Sequence, residues 1–170
     1  MDLIENRSRR PRSGDGAPIG SFIMVDRVSL SITIGGDLAA ALRDDLVARI
    51  QSEGLALDYD GEAFGTEDFP ADGPLSLYAH EVAWGRADEL ESFCVEQGLP
   101  FVRWSGGSAA QFGPERAVFT GAGEVALFAA DEDGNLIIDR DRAERLGSYE
   151  AIIAHFVAGD PAVPPLRFLP

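Results

Sequence analysis

Val28, Leu30, Ile32 and Ile34 alternate with Ser29, Ser31 and Thr33. That period of two predicts a strand with one face buried and one face polar. Gly35 and Gly36 interrupt the pattern, and Asp37 stands where a helix N-cap is expected. Leu38, Leu42, Leu46 and Ile50 then recur every four residues with Val47 beside them, which predicts a helix with a single apolar stripe. Gly54 suits a left-handed helix terminus, and a short strand is predicted over 55–59. The same order returns further on: an alternating strand from Leu75, Gly85, a helix from about Asp88, Gly98 with Leu99, a strand through Arg103, then Gly106 and Gly107. The segments 28–61 and 75–107 therefore read as an internal repeat.

Two consecutive β-α-β units predict an α+β fold of the ferredoxin-like kind, an antiparallel sheet backed by two helices. A third block, 115–159, has a different plan. Strands are predicted over 115–120 and 124–130, and Asp133-Gly134 signals a type I′ hairpin returning through 135–139. A short helical turn over 142–146 and a last helix after Ser148, ending near Gly159, complete it. The block is expected to extend the sheet or to pack a β-hairpin and helix against it. Residues 1–26 read as an Arg-rich extension, 27–159 as a single domain, and 160–170 as a Pro-rich tail.

Charge changes the picture more than composition does. At 45% hydrophobic residues the chain has ample material for a core. It also carries 29 acids against 14 basic residues, a net of −15, and every basic residue is Arg. From Val28 onward nine Arg face 25 acids, so that part alone carries −16. Such a surface repels phosphates, which argues against nucleic acid as a direct ligand and favours a basic protein partner. No apolar run approaches the roughly 18 residues of a membrane span, no secretory signal pattern opens the chain, and the single Cys94 has no disulfide partner. A cytoplasmic location is expected.

The acids concentrate in one place. Between Ile50 and Gly85 there is no Arg, while Asp58, Asp60, Glu62, Glu67, Asp68 and Asp72 crowd a loop that also holds Phe64 and Phe69. These six carboxylates are the candidate partner-binding set. A second set is a candidate for catalysis or small-ligand binding. Tyr78 and His80 share the polar face of a predicted central strand, and Arg103 and Asp58 join them there if the register brings them to that face. An acid, a base and a cation would then stand together.

Other motifs are weaker. Asp131, Asp133 and Gly134 resemble the start of a calcium loop, but position twelve is Arg142 rather than a bidentate Glu, so a plain turn is expected. Gly106-Gly107-Ser108 lacks the Lys of a phosphate loop. Cys94, flanked by Phe93 and Val95, reads as a core thiol, and His155 as a structural residue near a helix end. No metal or cofactor is expected. The C-terminal helix followed by Val163-Pro164-Pro165-Leu166, with acidic strands before it, resembles uncharacterised small acidic proteins of bacterial plasmids and phages. That resemblance implies no established activity, only a partner in nucleic-acid processing. The sequence thus predicts a non-enzymatic acidic interaction protein, in its sharper form a nucleic-acid mimic filling a basic groove. The alternative is a small-ligand protein or enzyme with its site around His80.

Overall fold

The computed structural model describes residues 26–108 and 111–170, so all but Asp26 of the expected Arg-rich extension lies outside the described residues. Among the described residues the fold is mixed α+β, with a five-stranded antiparallel sheet and four helices. Strand β1 (Arg27–Ile34) lies between β3 (Leu75–Ala83) and β4 (Phe101–Ser105), and β5 (Glu115–Phe119) and β6 (Ala126–Ala129) extend the sheet beyond β4. Alternation sets the faces. Leu30, Ile32, Ile34, Leu75 and Leu77 turn toward helices α1 (Arg43–Ser52) and α2 (Asp88–Gln97) and are buried with Leu46, Ile50, Leu90 and Phe93. Burying side chains of this size stabilises a fold by about 1.5–3 kcal/mol each.

Four local expectations are corrected. Asp37 does not cap a helix: Gly36, at φ +98°, leads into strand β2 (Gly36–Ala39), and α1 begins only at Arg43 after a tight turn over Ala40–Leu42. The cause is tertiary, because β2 pairs in parallel with β7 (Leu166–Leu169) at the far end of the chain. Gly35 is required there, since a Cβ would collide with the Pro164 carbonyl. The Pro-rich tail is thus pinned to the domain as a strap.

The strand expected over 55–59 shrinks to one bridge, Ala56 with Tyr78, where both backbone bonds form at 3.0 and 2.8 Å. The return strand over 135–139 likewise shrinks to a bridge between Ala130 and Leu136. Its turn is not type I′. Gly134 is left-handed at φ +82° but Asp133 is not, and the Asp131 carboxylate fixes the turn by accepting from the Asp133 and Asn135 amides.

The third block both widens the sheet and covers its other face. Helix α3 (Arg140–Leu146) begins at Asp139, whose carboxylate accepts from the Arg142 amide. Helix α4 (Tyr149–Gly159) begins at Ser148, whose hydroxyl accepts from the Ala151 amide. Against the outer strands, His155 packs on Phe128 with ring centroids 4.9 Å apart, and Arg116 ties to the Gly159 carbonyl and to Asp160. Residues 161 and 163 then lie beside Ser31, Thr33 and Val102. The polar face of the sheet is left open chiefly along β3 and the start of β1.

Candidate functional site

The acidic loop is held at fixed points. Phe64 is 1% exposed and joins the core. Phe69 meets it edge-on at 5.0 Å and meets Phe168 of β7 at 4.8 Å. The Arg43 guanidinium lies over the Phe69 and Phe168 rings and donates to the Thr66 carbonyl, while Gln51 donates to the Phe64 carbonyl. Asp68 caps the turn Thr66–Asp68 by accepting from the Gly65 amide at 2.7 Å. Around these anchors Asp58, Asp60, Glu62, Glu67 and Asp72 are exposed and Asp68 is half-buried. Among the described residues, no Arg forms an ion pair with any of the six. Arg43, the cation that enters this region, is spent on a carbonyl and two aromatic rings.

Of the four residues expected on the polar face, the structure brings only some together. Tyr78 and His80 do share that face. Tyr59 stacks on His80 at 4.5 Å and tilts against Tyr78 at 5.1 Å, and the Ser29 hydroxyl lies 3.0 Å from His80 Nδ1. Partial burial, and Tyr78 beside it, push the Tyr59 hydroxyl pKa up. The Asp58 carboxylate turns back to accept from the Tyr59 amide. Tyr59 and Ser29 were missed in the sequence. Ser29 reaches His80 because the strand bulges there: Val28 pairs with Val82 and Leu30 with Ala79, leaving His80 and Glu81 opposite Ser29.

Arg103 is the correction. It sits on the buried face with Phe101 and Ser105, 2% exposed, on the side of the sheet away from His80. Its guanidinium donates to the Gly85 carbonyl, the Ser105 hydroxyl and Glu115, each at 2.8 Å. Nε stands 2.8 Å from Glu91 Oε1, an ion contact whose N–H is not aligned for a hydrogen bond. Burial pushes the Glu91 carboxyl up, and Arg103 and the Ala87 amide pull it back down. The polar face therefore holds no cation beside His80 from this strand, and the acid-base-cation set does not assemble.

The buried Arg103 bonds to two residues that line a different site, Ser105 and Glu115. That site is a cleft of about 360 Å³ lined by Trp84, Arg86, Asp88, Ser105, Phe112 and Glu115. Trp84 is 44% exposed and holds a left-handed backbone at φ +57°. For a bulky residue that conformation costs on the order of 1–3 kcal/mol. Gly85 follows at φ +61°, and a Cβ there would meet Ser105, so this glycine lets its carbonyl reach Arg103. No periodic signal in the sequence marks Trp84 or Phe112.

Cys94 is fully buried, and its thiol is pushed up to about 12, first by burial and then by Glu91. Among the described residues, no group of three or more His, Cys, Asp or Glu is arranged to hold a metal ion, and no helix is long and apolar enough to cross a membrane.

Comparison with known proteins adds little to this geometry. No protein-family model matches the chain, and no solved structure matches it. A stretch of 65 residues, 38% of this chain, is 43% identical to part of the T-complex protein 1 subunit epsilon of Encephalitozoon cuniculi, and it spans only 12% of that protein.

Proposed function

We propose that this is a non-enzymatic interaction protein that presents the carboxylates of its 58–72 loop to a basic protein partner. The observation that carries this reading is the pairing of rigid anchors with free charge. Phe64 and Phe69 fix the loop on the core and on β7, while its carboxylates are left without Arg partners among the described residues. A merely solvated connection has no need of a buried phenylalanine and a capped turn. Fixed carboxylates also keep their ordering cost low when they meet Arg or Lys across an interface. Their attraction steers association and weakens as salt rises. The sharper form of the proposal is mimicry of a phosphate backbone inside a basic groove, and the partner is then a nucleic-acid-processing protein. Retention of a basic partner on the immobilised protein at low salt, and its release at high salt, is the expected result. Retention that ignores salt refutes the proposal.

The framework of this surface is read as the ferredoxin-like plan with one reduced strand. Supporting it, the bridge at Ala56, β3, β1 and β4 follow one another across the sheet, antiparallel throughout, with α1 and α2 on one face. In that reading β5 and β6 are an extension beyond the fourth strand. The alternative site around His80 keeps Tyr78, Tyr59 and Ser29 but loses Arg103, which is why the acidic loop is the preferred surface.

A further inference from the structure

The cleft lined by Trp84 and Phe112 has two features that the fold does not require. The first is the conformation of Trp84. A tryptophan is held in left-handed backbone immediately before a glycine that adopts the same region freely, and 44% of its surface remains in solvent. Its amide is fixed by the Asp26 carbonyl at 3.0 Å, so the strain persists through the packing around it. The indole contributes little to the core for that cost. What it does is face Phe112, with ring centroids 6.3 Å apart and planes at 42°, across the mouth of the cleft.

The second feature is an unbalanced charge. Arg103 is shared between Glu91 and Glu115, and Asp88 and Arg86 complete the ionisable groups in and beneath the cleft. With all of these ionised, two cations stand against three carboxylates. One more cation neutralises the set. Ring faces beside carboxylates are the surroundings in which a guanidinium or alkylammonium group loses its water with least penalty, since the rings and the charges both attract it. The volume, about 360 Å³, is suited to one such group and its stem.

From these observations we infer that the Trp84–Phe112 cleft is a binding site for a guanidinium or alkylammonium cation, held against the adjoining aromatic rings and by the Glu115 and Asp88 carboxylates. The cation comes either from a small molecule or from an Arg or Lys side chain of a partner. The site goes beyond the acidic loop and stands on different residues, so each can fail alone. Arg86 is the group that opposes the ligand: it lines the same cleft and, among the described residues, has no ion-pair partner.

The test is titration of the full chain with methylguanidinium and, separately, with a short uncharged peptide carrying one arginine, at constant ionic strength, by calorimetry. Saturable binding of at least one probe is expected, with acetate as the silent control. A peptide that binds much more tightly than methylguanidinium assigns the cation to a protein partner; equal affinities assign it to a small molecule. Trp84→Gly relieves the left-handed strain, so it is expected to keep or raise thermal stability while weakening binding about tenfold. Phe112→Ala should also weaken binding, and Arg86→Gln should tighten it severalfold. Absence of saturable binding by both probes overturns the inference. So does a folded Trp84→Gly variant that binds like the native protein. Replacing the loop acids Glu62, Glu67 and Asp72 leaves this titration unchanged, which separates failure of the cleft from failure of the loop.

Discussion

Replacing Arg103 with methionine removes the cation that does most, ahead of Arg86, to reconcile Glu91 with its buried position. In the native protein the guanidinium is 2% exposed and meets Gly85, Ser105, Glu91 and Glu115, all at 2.8 Å. Methionine fills most of the volume, so the cavity left behind is small and the loss is chiefly electrostatic. Glu91, 15% exposed, is left without its counter-ion, whereas Glu115, 29% exposed, turns more easily to water. Breaking a buried pair from one side costs about 3–5 kcal/mol, a large share of the roughly 5–15 kcal/mol that stabilises a domain.

The sign with pH follows from Glu91, whose carboxyl is already raised by burial and partly held down by Arg103. Without Arg103 it rises further. The folded state then binds more protons than the unfolded state between the unfolded and folded pKa values, so stability falls as pH rises through that window. The variant's deficit is therefore expected to be larger at neutral pH than near about pH 5. Adding Glu91→Gln to the variant should recover about 1–3 kcal/mol. Urea denaturation at both pH values measures all three quantities. A loss below about 1 kcal/mol, equal at the two pH values, would refute the buried-pair account.

Two further outcomes follow from the same packing. Phe64→Ala should cost about 3–5 kcal/mol and expose the Gly65 amide to rapid hydrogen exchange, because the ring anchors the acidic loop; a loss near zero would make the loop a solvated connection after all. Cys94 should resist alkylation at mildly alkaline pH in the native protein and react once denaturant is added, since its thiol is pushed up to about 12 and fully buried; prompt native-state labelling would contradict that placement.

The parts of the fold that were legible are those encoded by local pattern. The alternation through Ile32, the α2 helix ending at Gly98 and the Ser148 start of α4 each carry their signal within a few residues. What was not legible depends on distant partners. Asp37 looks like a helix cap until Leu166–Leu169 arrives to pair with its strand. Tyr59 joins His80 because a single bridge at Ala56 sets the chain beside β3. Arg103 was expected beside His80 only if the register allowed it, and it faces inward with Phe101 and Ser105, two residues to either side. The carboxylates that make its burial tolerable, Glu91 and Glu115, lie on other elements. The cleft shows the same limit, since Trp84 and Phe112 are far apart in the chain and meet only through the sheet.

The acidic loop as a partner surface is tested most directly by one comparison of affinities. Asp68 is left in place because it caps the Thr66–Asp68 turn, and Glu62, Glu67 and Asp72, which are exposed, are changed together to their amides. The measurement is the affinity of native and triply substituted protein for the basic partner captured at low salt, across a salt series. The account predicts that the variant stays folded, gains slightly in thermal stability through relief of self-repulsion, binds more weakly at low salt and shows a shallower salt dependence. A variant that binds with native affinity and native salt dependence would contradict it.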